Sequence, residues 1–221
     1  MTACELILQG ISDGDTIGGP FAMASLVAQT LANDPYDFDA LDQAYWDYYD
    51  SGSFDSGPTF EKVHEFMAKG MRRADAVKET HKVFKGSTAG CNPMHRFMVV
   101  AGMDDLPYDD MDKMARRDAG LTHYDATAGL CSSMLVRILR RCLSGEKLSN
   151  AASAVSSELS SNEQKVFNIP MGNRGYGAEV LVSAMELVGH GKSGLPHSIE
   201  FARPNNYCPP IVGVIIALEE I

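Results

Sequence analysis

Apolar residues recur along most of this chain at the three- and four-residue spacing of one helical face. In Phe21-Ala-Met-Ala-Ser-Leu-Val-Ala-Gln-Thr-Leu31, Phe21, Ala24, Leu26/Val27 and Leu31 share a broad side. Asp39 can cap a short helix carrying Leu41, Tyr45 and Trp46, and Thr59 can cap the next, with Val63, Phe66 and Met67 inside. The same periodicity predicts helices over 72–84, 109–119, 124–143, 147–160, 175–189 and 209–219. Strands find little support. The β-branched run Ile211-Val-Gly-Val-Ile-Ile216 follows Pro209-Pro210, a pair suited to a first helical turn, and leads into Ala-Leu-Glu-Glu, so it reads as a buried terminal helix. The expectation is an all-α fold forming one compact domain over 1–221.

Between these helices, four segments concentrate turn formers and short hydrogen-bonding side chains: 12–20, 51–59, 86–96 and 203–210. Each runs into a helix, where backbone N–H groups and capping side chains can converge on a ligand. Each taken alone is equally well read as a tight interhelical turn.

Charge narrows the partners. The 221 residues carry 29 Asp+Glu against 19 Lys+Arg, a formal net charge of −10. A nucleic-acid backbone or an anionic membrane would be repelled, so neither is an expected partner. No run of 18 apolar residues is present, and the opening MTACELILQGISDGD lacks the basic start of a signal peptide. Five scattered cysteines without a CxxC pair argue against a disulfide framework or zinc ribbon, and the simplest expectation is free thiols in a reducing cytoplasm.

The four segments also carry a resemblance. Gly10-Ile-Ser-Asp-Gly-Asp-Thr-Ile-Gly-Gly-Pro20 resembles the G-x-x-x-GDAxGxP opening of the ADP-ribosylglycohydrolase family, which includes the J1-type crystallins. In order along the chain, Ala44-Tyr-Trp-Asp-Tyr-Tyr-Asp-Ser-Gly-Ser-Phe-Asp-Ser-Gly-Pro-Thr59 is similar to the family's Y-x-x-W … G-x-x-D-x-G-x-T. Gly90-Cys-Asn-Pro-Met-His-Arg96 stands where the family has GNGxxMR, and Leu121-Thr-His123 matches its xTH. Asn205-Asn-Tyr-Cys-Pro-Pro-Ile-Val-Gly213 occupies the place of GGDTDTxAAxxG. The resemblance spans nearly the whole chain and implies a helical fold, a ribosyl or nucleotide-like small-molecule ligand and glycosidic-bond hydrolysis.

It also implies two divalent metals held by three acidic clusters. Here those positions read about Phe21-Ala22, Ser56-Gly57-Pro58-Thr59 and Pro204-Asn205-Asn206-Tyr207. Mg²⁺ wants carboxylate oxygens, and Asp15 and Asp55 alone do not make a two-metal cage. No cofactor is therefore expected, with Mg²⁺ binding kept as the alternative.

The candidate catalytic residues are Asp15 or Asp55 as base, with His95 and His123 as orienting or acid groups. Thr59, Cys91, Asn92, Arg96, Asn205, Asn206 and Tyr207 are candidate ligand contacts, Arg96 as the cation for a phosphate. Alternatives stay open for each. Cys91 and His95, four apart, form either a thiol–imidazole pair or a turn that buries a small thiol. Asp15 and Asp55 can equally be caps, His123 a structural histidine, and the Tyr45/Trp46/Tyr48/Tyr49 group an adenine platform or core. A non-catalytic binding or crystallin-like structural role competes with hydrolysis.

Overall fold

The computed structural model describes residues 1–189, 194–202 and 207–219. Helix α1 (Ala3–Gly14) was not anticipated, although Thr2 and Glu5 form a reciprocal capping box at its start. It leads through a turn into α2 (Gly19–Thr30), whose first turn contains Pro20. Helix α3 (Phe38–Asp50) is capped by Asp37, which accepts from the Ala40 N–H, and not by the expected Asp39. Helix α4 (Pro58–Ala68) starts at Pro58 behind Gly57, whose φ of 84° suits a glycine. Thr59 is thus inside the helix, not its cap. Helix α5 (Arg73–Val83) follows.

A buried centre comes next. Helix α6 (Asn92–Phe97) begins just after Cys91, with Pro93 in its first turn, and continues as a 3₁₀ turn over Met98–Gly102. Helices α7 (Tyr108–Gly120) and α8 (Ala126–Leu143) pack on it and on each other. Twelve consecutive residues of α8, Ala128–Leu139, are buried, because α6, α7, the 3₁₀ turn, α9 (Leu148–Ser157) and α11 (Gly177–Gly189) all lie against it. Burial of each Leu or Ile side chain in such a centre contributes about 1.5–3 kcal/mol.

The expected helix over 147–160 ends at Ser157. Ser160 then opens α10 (Ser161–Val166) with a capping box to Glu163, a second start signal inside what periodicity alone joined. Short α12 (Leu195–Phe201) precedes α13 (Pro209–Glu219), which begins at the proline pair as expected. Helices α1 and α13 touch almost backbone to backbone. A Cβ at Gly10, Gly14 or Gly213 would collide with the main chain of the opposite helix.

The result is all-α. Among the described residues, the sole β pairing is a one-residue antiparallel bridge between Gly90 and Tyr176. None of the five cysteines forms a disulfide, and no described helix is long and apolar enough to cross a membrane.

Candidate functional site

Helix starts and interhelical loops surround one cavity of about 810 Å³. One wall is the α3–α4 loop with the first turn of α4, which contributes Asp55, Gly57, Thr59 and Phe60. The facing wall joins segment 86–92 to segment 174–176. Cys91 N–H donates to the Gly175 carbonyl at 3.1 Å, and Gly177 N–H donates to the Ala89 carbonyl at 2.8 Å. His95 from α6, His123 and Asp125 before α8, and Tyr207 before α13 complete the enclosure.

The loop that carries Asp55 is tied down on both sides. Tyr48 Oη donates to the Phe54 carbonyl at 2.9 Å, and the Ser53 and Ser56 hydroxyls both donate to Glu61. These ties hold Asp55 at φ 50°, a left-handed conformation unusual for a residue other than glycine. Its side chain lies against Gly19 at the start of α2. Burial, and then the nearby Asp15 charge, raise the Asp55 carboxyl above its ordinary range.

Asp15 itself is not on the cavity wall. Its Oδ1 accepts from Ile17 and Gly18 N–H at 3.1 and 2.8 Å, and its Oδ2 accepts from Phe21 N–H at 2.8 Å. It satisfies the donors at the entry to α2, so its structural service is that of a cap, and it reaches the site only through its charge.

Two imidazoles line the cavity. His95 is 3 % exposed, and its Nε2 has no hydrogen-bond partner. Burial, partly offset by the Tyr207 main chain, lowers its pKa to about 4, so the ring is neutral near pH 7. His123 is lowered well below the ordinary range by burial and then by Arg96. Arg96 Nη1 can only donate, and it does so to Thr122 Oγ1 at 3.0 Å. Thr122 Oγ1 hydrogen-bonds His123 Nδ1 at 2.8 Å, and the other ring nitrogen, Nε2, lies beside Gly90.

Arg96, expected to meet a phosphate, does not face the cavity. It is fully buried beneath it, with Nε on Asp118 Oδ2 at 3.0 Å, Nη2 on the Asp118 carbonyl and Nη1 shared between Asn92 and Thr122. The Tyr45 ring lies 4.5 Å from the guanidinium, and Tyr45 Oη donates to Asp118 at 2.6 Å. Tyr45 is therefore core, and none of the Tyr45/Trp46/Tyr48/Tyr49 group lines the cavity. Cys91 does line it, but burial pushes its thiol up to about 12, so it is a protonated thiol and not an activated nucleophile.

Seven candidates thus come together on one cavity: Asp55, Thr59, Cys91, Asn92, His95, His123 and Tyr207. Asp15 and Arg96 stand behind it, while Asn205 and Asn206 lie outside the described residues. Sequence reasoning missed Ser87, Asp125, Arg174 and Tyr176. The signal for the last two was the run Met171-Gly-Asn-Arg-Gly-Tyr-Gly177, with the same turn chemistry as the four segments singled out.

The loops of this all-α bundle thus gather two imidazoles, a partly buried carboxylate and an amide on one concave cavity, the shape in which small-molecule sites are found. The ADP-ribosylglycohydrolase profile matches residues 15–215, and the chain belongs to that family. A solved "ADP-ribosylglycohydrolase-related protein complex" superposes with a TM-score of 0.73, covering 98% of this chain and 88% of that one at 18% identity, a likeness of fold. No curated protein matches the sequence. Family and fold together point to an ADP-ribosylglycohydrolase-like function.

Proposed function

We propose that the cavity binds a ribosyl or nucleotide-like small molecule and hydrolyses its glycosidic bond without a two-metal cluster. The observation that carries this reading is Asp55, a partly buried carboxylate in a left-handed conformation that lines one cavity with two neutral imidazoles. A carboxylate with a raised pKa is suited to take a proton from water. That water adds to the anomeric carbon as the bond to the leaving group breaks, and the proton passes on to the leaving group. His123, whose Nε2 lies beside Gly90, and His95 orient the ligand or serve as the acid.

The donor set supports a metal-free site. A hard dication needs several carboxylate oxygens, whereas Asp15 has both oxygens engaged by N–H groups, and Asp125 Oδ1 accepts from Thr127 N–H at 2.9 Å as the cap of α8. Among the described residues no three His, Cys, Asp or Glu side chains converge as a metal-binding group. The same loss of carboxylates favours a second reading, a non-catalytic binding or crystallin-like protein.

Thermal shift with ADP-ribose, with and without Mg²⁺, alongside chromatographic detection of released ribosyl product, tests the proposal. Expected are stabilisation independent of Mg²⁺ and a product yield that Asp55→Asn reduces by about 10²-fold or more. Stabilisation that requires Mg²⁺ overturns the metal-free site. Binding without product leaves the second reading, and no binding removes both the ligand class and the hydrolysis.

A further inference from the structure

The loop between α3 and α4 is dense in left-handed backbone. Gly52 and Gly57 have φ of 88° and 84°, and Asp55 between them has φ 50°. Glycine takes such values freely, but an aspartate stays there only where its surroundings hold it. One holding group is Glu61, in the first turn of α4. Ser53 Oγ donates to Glu61 Oε1 at 2.6 Å, and the buried Ser56 hydroxyl donates to the same oxygen. The other is Tyr48 on α3. Its Oη donates to the Phe54 carbonyl at 2.9 Å and accepts from Phe54 N–H at 3.3 Å, so one phenol brackets a whole residue. Phe60, the neighbour of Glu61, packs edge-on against Tyr48 with ring centroids 6.3 Å apart. The start of α4 therefore supports the loop twice, through Glu61 directly and through Phe60 behind Tyr48.

A carboxylate early in a helix is ordinarily explained by the helix dipole, which accounts for its charge but not for its partners. Glu61 is half-buried, and its two serine partners flank Phe54 and Asp55 in the chain. An ionised carboxylate only accepts, so both hydroxyl protons are committed to it. Neither Glu61, Tyr48 nor either serine lines the cavity, whereas Asp55 does. The Asp55 side chain takes no part in this clamp and lies against Gly19, where a Cβ would stand 2.8 Å from its Oδ2 and 2.4 Å from its carbonyl oxygen. The charge that raises the Asp55 carboxyl after burial is that of Asp15, so Glu61 acts on Asp55 through position. Position matters to a base, because a displacement of about 1 Å can cost about 10²-fold in rate.

We infer that Glu61 is the positioning residue of this site: by fastening Ser53 and Ser56 it holds Asp55 in the left-handed conformation that puts it on the cavity wall, without touching a ligand itself. The inference rests on the proposed hydrolysis for what Asp55 then does, but not for how Asp55 is held.

Two readouts on the intact chain separate these claims: titration of the Asp55 carboxyl followed by carbon-13 NMR, and product release from ADP-ribose. Expected in Glu61→Ala are an Asp55 titration that moves down toward the ordinary carboxylate range, as the freed loop lets water reach it, and a fall in kcat of about 10- to 100-fold with KM little changed. Glu61→Gln, which keeps an acceptor oxygen at the same reach, is expected to restore most of both. Ser53→Ala with Ser56→Ala removes the donors and leaves Glu61 in place, and it should reproduce the Glu61→Ala result even if that variant does not fold. An unchanged Asp55 titration in folded Glu61→Ala or in the double serine variant overturns the inference, whatever turnover does. A titration that falls in the variants while the wild type releases no product leaves Glu61 as the residue that holds Asp55 and removes the hydrolytic reading.

Discussion

His95 and Arg96 are neighbours in sequence, yet they belong to different kinds of place. On α6 a step of one residue turns the side chain by about 100°. Arg96 thereby enters a closed polar centre, where Asp118, Asn92, Thr122 and Tyr45 bond or cover its guanidinium. His95 enters the cavity, where its Nε2 has no partner. Thr122 and His123 repeat the division one loop away: the hydroxyl closes the buried network and the imidazole that it orients lines the cavity. Polar groups in the first region complete each other, whereas in the second His95 Nε2 is left without a partner. Satisfaction of hydrogen bonds, more than residue type, separates support from site.

Breaking the closed centre is expected to produce the largest effect. Asp118→Ala leaves the Arg96 charge buried without its carboxylate, at a cost of about 3–5 kcal/mol. Urea unfolding measures it, and a loss below about 1 kcal/mol would mean that Arg96 is not held as the geometry implies. Protonation acts next. His64 and His95 are both lowered from 6.5 to about 4 by burial, so the unfolded chain binds protons that the folded chain refuses between those values. Their contribution is complete above pH 6.5 and is lost as the pH falls toward 4, on the order of 3 kcal/mol for each. Denaturation midpoints from pH 7 to 4 should fall accordingly. His95→Gln should flatten that fall by one proton without lowering stability at pH 7 as Asp118→Ala does.

The fold class was legible because helical periodicity of apolar residues survives in most of the long helices, and the Pro209-Pro210 pair marked the start of α13 in plain chemistry. Helix α1 was overlooked although Thr2 and Glu5 spell a capping box, and its close seat on α13 depends on Gly10, Gly14 and Gly213, whose meaning appears only when both backbones are placed. The site was legible as a set of loops but not in its directions. Sequence offered Arg96 as the anion contact because it is the cation within a Gly-rich segment; burial against Asp118 removes it, and Arg174 lines the cavity instead. Glu179, which is ion-paired with Arg174, sits in an apolar helix whose sequence does not say which face is buried. Asp15 kept its family position while serving as a cap, since a motif preserves a place in the chain and not the partner a carboxylate will find.

The smallest expected effect separates the two regions most finely. Asp55 occupies a left-handed conformation that glycine adopts without strain, and its side chain lies outside the closed Arg96 centre. Asp55→Gly should therefore relieve backbone strain and leave stability unchanged or raised by up to about 1 kcal/mol, with some of that relief offset by the greater entropy of the unfolded glycine chain. The same change removes the carboxylate from the cavity and should abolish ribosyl hydrolysis. Thermal unfolding and product release measured on one preparation decide between the outcomes. Loss of both stability and turnover would make Asp55 another supporting residue, like Asp118. A protein that unfolds no more readily yet no longer turns over places Asp55 with His95, among groups kept at a cost to the fold for what they do to a ligand.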